Sequence, residues 1–505
     1  MIGQVQDPSE EHHQIFGWPT IALFFAICSI YLAFLKPGIW GVDGNDMLHM
    51  SQSLIEKGNF SIPPGAGGIE GPDGQFYSIR YPLLPVFAVP FVWVGMTLGN
   101  MFNLPVQYTS AACGLVLNIL LTAATAVLVY GLTLQLGGQR RGAFMAAIGY
   151  AFCTAAMVYA REFFAEPLLG FIITLALYLA FGQSRWGHWV TGLLAALAIA
   201  AKPAGILLGP VLMLYFLLRR CSWDRILAPG IGTVVGVGLY LAYNYARFGS
   251  IASSGQDSSQ LGFDGFFLRA LGQWISPGSG GGMFWYCPPT ILALVGLWVL
   301  WQQRKLEFVA LAGIVVSFWL LHSGWDFNGW NWGPRFLVPI IPALMVTVGL
   351  LGKRWRMPLV GLMVLGFLVN APTLLTFYQR YFAEIADQST VLLMQTLSLW
   401  SEASQAPIFN AWAAAGRQLA DAFSTPVQEI LRNVGQPPEA GNLSQAELLR
   451  IVAVWWWFLP AAGIPTWVGI AIATAMVSLG LWLLRLSWLI GLKPATSFQT
   501  NKIPF

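Results

Sequence analysis

Long apolar runs, separated by short polar connectors, dominate this chain of 505 residues. Hydrophobic residues make up 56% of it and charged residues only 10%, with a mean hydropathy of +0.63. Soluble domains carry roughly 25% charged residues, and a helix needs roughly 20 apolar residues to cross the hydrocarbon core of a membrane. The sequence therefore predicts an all-α polytopic membrane protein with about twelve transmembrane helices. Their predicted positions are residues 18–35, 110–134, 142–159, 166–183, 187–201, 204–218, 229–246, 288–303, 306–322, 336–351, 357–375 and 466–489.

Basic residues orient these helices. Lysine and arginine are concentrated in the short connectors, which the positive-inside bias assigns to the cytoplasm. These residues are Arg140, Arg141, Arg185, Arg219, Arg220, Arg225, Arg304, Lys305, Lys353, Arg354 and Arg356. The long connectors then fall on the outer face, and they cover residues 36–109, 247–287, 322–335 and 376–465.

This orientation predicts the domain organisation. Residues 1–17 form a cytoplasmic N-terminus, and residues 18–375 form the transmembrane core. Residues 376–465 form an outer-face soluble or juxtamembrane insert, and residues 466–505 supply the last helix and a cytoplasmic tail. We expect a multi-pass membrane protein.

One apolar stretch is interpreted differently. Residues 81–99 are apolar enough to span, but crossing there would place Arg140 and Arg141 outside. The prolines at 82, 85 and 90 also disfavour a regular helix. We predict a juxtamembrane or re-entrant element on the outer face.

Composition excludes several classes of function. The net charge of +4 is too small and dispersed to indicate nucleic-acid binding. The five cysteines are scattered and include no CxxC pair, so neither a zinc site nor a disulfide framework is supported. The acidic N-terminus lacks the basic region of a cleavable signal, so we expect the first apolar stretch to remain as an anchor. Asn442 begins a glycosylation sequon, a pattern that is frequent by chance.

Charged residues cluster where predicted helices reach the outer face. Asp43 and Asp46 share one face if the segment after Gly44 is helical, and either they cap that helix or they carry chemistry. Arg161, Glu162 and Glu166 lie within "AREFFAEP"; ionisable groups at the membrane edge indicate function, although a local surface pair is the alternative.

Two more outer stretches carry cations. Lys202, in "AAKPAG", either extends its amine toward water or meets an anionic group at the interface. Arg335 follows a loop that contains Trp330 and Trp332 among glycine and asparagine. Such rings either belong to the aromatic belt or stack on a sugar, and a guanidinium there can hold a phosphate with two hydrogen bonds.

Taken in order, these stretches resemble the GT-C superfamily of polyprenyl-phosphate-sugar-dependent glycosyltransferases, over residues 18–351. That superfamily includes protein mannosyltransferases and bacterial lipid A aminoarabinose transferases. The matching stretches are "VDGNDMLHMSQSL", "SIRYPLLP", "REFFAEPLL", "AAKPAG", "YNYARFGS", "SPGSGGGMFWYCPP" and "GWNWGPRFLVPIIP". Gly44 departs from the pattern, since relatives often have glutamate there.

The resemblance implies a function. It implies a glycosyltransferase of the bacterial inner (plasma) membrane, with its active site on the outer, periplasmic face. Such an enzyme moves a sugar, with inversion, from a polyprenyl-phosphate donor to an acceptor hydroxyl. Asp43 is the implied general base. Because of Gly44, the second carboxylate is left open between Asp46, Glu162 and Glu166. The expected phosphate- and sugar-binding residues are Arg80, Tyr81, Arg161, Lys202, Trp330, Trp332 and Arg335.

A divalent metal is the one cofactor considered, with Asp43, Glu166 and His322 as candidate ligands, although no spacing compels it. A lipid-linked-sugar flippase or transporter is the alternative function, and a non-catalytic scaffold is a third. Transport favours ionisable residues deep within several spans, whereas here the carboxylates collect on one face.

Overall fold

Each apolar run predicted from the sequence contains a helix in the computed structural model. The structure describes residues 17–39, 41–64, 67–182, 186–256, 261–278, 280–325, 330–385, 406–424 and 452–492. The α-helices are α1 (Trp18–Ala33), α2 (Val42–Glu56), α3 (Leu83–Phe102), α4 (Val106–Gln135), α5 (Arg140–Phe152), α6 (Ala156–Tyr159), α7 (Glu166–Phe181), α8 (Gly187–Ala201), α9 (Leu208–Leu218), α10 (Trp223–Phe248), α11 (Phe266–Ile275), α12 (Met283–Tyr286), α13 (Ala293–Gln303), α14 (Lys305–Ser323), α15 (Ile341–Gly349), α16 (Arg356–Asn370), α17 (Pro372–Leu375), α18 (Gln379–Ile385), α19 (Pro407–Ser424) and α20 (Thr466–Leu492).

Short 3₁₀ segments extend several of these helices. They are Pro203–Leu207, Pro288–Leu292, Arg335–Ile340, Lys353–Trp355 and Trp455–Ala462. Proline lacks a backbone N–H, and each of the segments Pro203–Leu207 and Pro288–Leu292 begins at one. Among the described residues, six helical segments are long and apolar enough to cross a membrane, and five further apolar helices are shorter. The protein is a multi-pass membrane protein.

The helix α3 makes no net crossing, although it is one of the six long apolar segments. Arg161 donates to the carbonyl of Phe34, just after α1, and Asn118 of α4 donates to the carbonyls of Glu162 and Phe164. The end of α1 and the first half of α4 therefore lie at the same end of the helix bundle. The intervening helices α2 and α3 leave and return on that side.

A small sheet between α2 and α3 was not predicted from the sequence. Strands β1 (Ser61–Ile62), β2 (Ile69–Glu70) and β3 (Phe76–Tyr77) pair antiparallel in the order β1-β3-β2. Strands of two residues are too short to give a recognisable alternating pattern. The sheet stabilises the loop that follows β3, which contains Arg80.

The predicted insert is described only in part. Its helix α19 packs on α17 and α18. Its C-terminal part lies against the end of α1, because Trp455 and Trp456 donate to the carbonyls of Leu32 and Ala33. The sequon at Asn442 lies outside the described residues.

Small residues allow α8 and α10 to pack backbone to backbone. Helices in lipid associate through such close packing of glycine and alanine. Gly232 of α10 lies against the carbonyl of Gly192 in α8, so a Cβ atom at position 232 would overlap that carbonyl. Gly238, on the same helix, has open space at the corresponding position.

We expect Gly232→Val to lower the stability of the protein by about 2 kcal/mol or more, because overpacking forces the helices apart. The thermal midpoint of the purified protein in detergent measures this loss. Gly238→Val is the matched control, and we expect it to leave the midpoint nearly unchanged. Equal midpoints for the two variants would contradict the close contact of α8 and α10.

Candidate active site

A cavity of about 290 Å³ lies at the end of the bundle where α1 ends and α7 begins. Its wall combines charged side chains with apolar ones, among them Met47, Ile206 and Leu321. Seven of the residues predicted from the sequence line it: Asp43, Arg80, Tyr81, Glu166, Lys202, His322 and Arg335. The tertiary structure thus unites residues from six separate segments of the chain.

Both carboxylates of the cavity come from the first turn of a helix. Asp43 lies in the first turn of α2, and Glu166 is the first residue of α7, directly before a proline. A carboxylate is stabilised there by the positive end of the helix dipole. The side chain of Asp43 does not act as the N-cap of α2, which is Gly41. The capping alternative for Asp43 is therefore not what the structure shows.

Two of the cations sit where proline interrupts a helix. Lys202 follows the last residue of α8 in an extended conformation, because Pro203 cannot continue the helix. Arg335 is the first residue of a 3₁₀ segment and follows Pro334. Both breaks bring a long basic side chain to the cavity wall rather than to the bundle surface.

Three cations pair with the two carboxylates. Arg335 donates Nη2 to Asp43 Oδ2 at 2.7 Å and Nε to Glu166 Oε1 at 3.1 Å. Arg80 approaches Asp43 Oδ1 at 2.5 Å, and Lys202 Nζ lies 2.7 Å from Glu166 Oε1. Three positive and two negative groups leave the cluster with one net positive charge, which suits an anionic ligand.

Aromatic rings cover the arginine that joins the two acids. The Arg335 guanidinium lies 3.7 Å from the centre of the Phe164 ring. Lys202 Nζ lies 4.0 Å from the centre of the Phe336 ring. Cation–π contacts of desolvated groups contribute roughly 2 kcal/mol. These rings hold the cations in place without neutralising them, and the sequence reasoning had not identified either ring.

Asp43 is ionised in this arrangement. Burial would raise the pKa of its carboxyl, but the charges of Arg335 and Arg80 outweigh burial and hold the pKa below its usual value. Both carboxylate oxygens are engaged by arginine. Moving one of these arginines to another anion would raise the basicity of Asp43 toward a substrate proton.

A second set of contacts holds the backbone around Arg80. Ser78 donates its hydroxyl to Asp46 at 2.9 Å, and its oxygen accepts from the Arg80 N–H at 3.1 Å. From the end of α10, Arg247 donates to the Ser78 carbonyl, and its other terminal nitrogen donates to Asn244 at 2.9 Å. Asp46 is thus behind the cavity, and it positions the Arg80 loop.

Glu162 and Arg161 are also behind the cavity, and both are buried. Glu162 forms an ion pair with Lys36, which sequence reasoning had not identified. Arg161 donates to the carbonyls of Phe34 at 2.9 Å and Leu374 at 3.2 Å, joining the ends of α1 and α17. Of the three candidates for a second carboxylate, only Glu166 lines the cavity.

The two predicted sugar-stacking tryptophans pack elsewhere. Trp332 is buried and donates to Asn370 at 2.8 Å. Trp330 stacks on Phe382, with ring centres 5.8 Å apart. Trp325, in the same loop, does line the cavity and pairs with Leu261 in a β-bridge. A string of tryptophans in sequence could not show which ring faces the cavity.

The candidate metal ligands do not assemble into a metal site. Within the ranges that the structure describes, no three histidine, cysteine, aspartate or glutamate side chains are grouped to hold an ion. Asp43 and Glu166 face arginine and lysine instead, and one ring nitrogen of His322 already contacts a backbone carbonyl. The carboxylate oxygens that could bind a metal ion are therefore paired with arginine and lysine side chains.

Comparison with known proteins identifies the fold. No protein-family model matches the chain, and no curated protein matches its sequence. The apo structure of ArnT from Cupriavidus metallidurans is similar, with a TM-score of 0.51 and 17% identity, over 93% of this chain and 77% of that one. The chain has the GT-C fold.

Two further solved structures were matched. One is ArnT from Cupriavidus metallidurans bound to undecaprenyl phosphate, with a TM-score of 0.45 and 17% identity, over 92% of this chain and 77% of that one. The other is the apo oligosaccharyltransferase of Archaeoglobus fulgidus, with a TM-score of 0.46 and 12% identity, over 85% of this chain and 59% of that one. At identities this low, function must be argued from the site.

Asp46 makes the stability of this GT-C chain depend on pH. The pKa of its carboxyl is raised from the usual 3.8 to about 7. Burial raises this pKa, and its effect is larger than the lowering by the Ser78 hydrogen bond and the Arg80 charge. Between these values the folded state holds a proton that the unfolded state has lost, so stability falls as pH rises from about 4 to 7 and is level above.

We therefore expect Asp46→Asn to have a higher thermal midpoint than the wild type at pH 8, with a smaller difference at pH 5. Asparagine keeps an oxygen for Ser78 and carries no charge to bury. Glu70→Gln removes an exposed carboxylate of the same region and serves as control. A difference that is independent of pH would contradict this assignment.

Proposed function

We propose that the protein is an integral-membrane glycosyltransferase that moves a sugar from a polyprenyl-phosphate donor to an acceptor hydroxyl. The observation that carries this proposal is the cluster of Arg80, Lys202 and Arg335 around Asp43 and Glu166 in one cavity. A net positive cluster suits a phosphate, and a carboxylate beside it suits a general base. The GT-C fold, shared with ArnT, agrees with this reaction class.

The lining of the cavity suits both parts of such a donor. Asp43, Glu166 and the three cations supply charged groups, while Ile206, Leu261 and Leu321 supply apolar surface. An isoprenoid tail gains free energy from leaving water, and its phosphate gains from charge-assisted hydrogen bonds. ArnT has been solved with undecaprenyl phosphate bound, which makes that lipid the natural first probe.

Donor binding would activate the base. A phosphate entering the cluster competes with Asp43 for Arg80 and Arg335, each of which now holds one oxygen of its carboxylate. Asp43, released from an arginine, then accepts the proton of the acceptor hydroxyl. At the same time the oxygen of that hydroxyl forms a bond to the anomeric carbon of the sugar. The bond from that carbon to the phosphate oxygen breaks, the electron pair leaves with the lipid phosphate, and the configuration inverts.

Glu166 would act by holding cations rather than by taking a proton. Its Oε1 accepts from both Lys202 and Arg335. When Arg335 turns toward the phosphate, Glu166 keeps the guanidinium within reach of the reaction centre. Preorganised cations of this kind stabilise the charge that develops on a leaving group.

We place the cavity on the outer, periplasmic face of the inner membrane. The basic connectors support this orientation, since they lie at the opposite end of the bundle. Arg219 follows the last residue of α9, whereas Lys202 lies just before the 3₁₀ segment that leads into α9. Arg304 lies before α14 and His322 in its last turn. Cytoplasmic arginines therefore put the cavity outside.

We expect Asp43→Asn to lower sugar transfer, or slow sugar hydrolysis, by roughly 10²–10⁴-fold, the usual effect of removing a general base. The measurement is sugar release from radiolabelled undecaprenyl-phosphate hexoses by purified protein. Asp73→Asn is the control, because Asp73 lies in the same outer connector but does not line the cavity, and its carboxylate accepts hydrogen bonds from the Gln75 N–H and the Tyr77 hydroxyl.

Full activity of the Asp43→Asn protein would exclude Asp43 as the base. If wild type binds the lipid-linked sugars but releases none from a broad donor panel, the glycosyltransferase proposal fails. A flippase or a scaffold would then account better for the same cavity.

A further inference from the structure

We propose that His322 is a sugar-recognition residue, whose Nε2 accepts a hydrogen bond from a hydroxyl group of the donor sugar. This inference rests on the proposed glycosyltransferase function. It concerns a hydrogen-bond acceptor, which the three cations of the cluster cannot supply because lysine and arginine only donate hydrogen bonds.

The backbone fixes the tautomer of the ring. His322 Nδ1 lies 2.9 Å from the carbonyl oxygen of Phe318, one turn earlier in α14. A carbonyl only accepts, so Nδ1 carries the proton and Nε2 keeps a lone pair. In a neutral imidazole, Nε2 is then an acceptor only.

A stack of three groups fixes the orientation of the ring. His322 stacks on Phe336, with ring centres 5.3 Å apart and planes inclined by 15°. Lys202 Nζ lies over the same Phe336 ring. A protonated imidazole would stand close to this ammonium group, so the arrangement favours the neutral ring with its free lone pair.

Nε2 faces the cavity without a partner. His322 lines the cavity, its Nδ1 is bonded to the backbone, and in the described part of the chain no group is bonded to Nε2. Glu166 Oε2 also lacks a partner, but it is buried beneath the cavity surface. Nε2 of His322 can therefore accept a hydrogen bond from a hydroxyl group of a ligand in the cavity.

Its position suits a sugar attached to the bound phosphate. Lys202 and His322 share Phe336 as a neighbour, so a phosphate on Lys202 leaves the adjoining sugar ring next to the imidazole. The cavity wall also includes Trp325 and Gln256. A site built to bond a hydroxyl rejects a substrate that lacks it, since the acceptor is then left unpaired.

The test compares the binding of undecaprenyl phosphate with that of undecaprenyl-phosphate glucose, mannose and galactose, using full-length protein. His322→Phe keeps an aromatic ring on Phe336 and removes Nε2. We expect it to weaken binding of the preferred hexose lipid by roughly three- to tenfold, the range for one neutral hydrogen bond. Binding of undecaprenyl phosphate alone should change by less than twofold.

His188→Phe is the matched control. This histidine is also buried but lies next to Asp224 at the other end of the bundle, and its replacement should affect neither lipid. A folded His322→Phe protein that binds both lipids less well by the same factor would overturn the inference, as would unchanged binding of every hexose lipid. If wild type binds none of the four lipids, the proposed function itself fails.

Discussion

The architecture of the site depends on one guanidinium group. Arg335 contacts Asp43 and Glu166 at once, and so joins the starts of α2 and α7 to the segment that precedes α15. Ionised groups this far from water cost several kcal/mol each unless they are paired. Three chain segments are therefore held together by charges that none of them could bury alone. The same pairing leaves one positive charge unmatched, which is the feature that suits the cavity to an anion.

A second buried ion pair, between Lys36 and Glu162, stabilises the helix packing next to the cavity. Glu162 and Glu166 are four residues apart, yet the first pairs with Lys36 inside the protein and the second lines the cavity. Arg161 donates hydrogen bonds to the carbonyl of Phe34, just after α1, and to the carbonyl of Leu374, near the end of α17. Arg161 and Glu162, between α6 and α7, thus hold helices together, whereas Glu166, the first residue of α7, is available to the ligand site. The rigidity of the first set positions the second.

The fold of this protein is kept at a level of sequence identity that says little about its chemistry. At 17% identity with ArnT, most side chains differ while the path of the helices is kept. Apolar side chains substitute for one another on a helix in lipid, so the fold constrains composition more than identity. Function then resides in the few polar side chains at the cavity. That is why the case for a glycosyltransferase rests on five charged groups and their geometry.

The sequence by itself indicated the class of fold and the positions of the apolar helices, because hydrocarbon accepts only long apolar helical segments and these are visible as runs. It also indicated Asp43, Lys202 and Arg335, since charges at the ends of such runs are expensive without a purpose. Only the tertiary structure decided which charges meet. Helix periodicity cannot tell that Glu166 faces the cavity while Glu162 faces Lys36, because each partner lies more than thirty residues away in the chain. Nor could it show that Asp46 accepts a hydrogen bond from Ser78, or that His322 lines the cavity. Such choices follow from packing between distant segments, which no local pattern records.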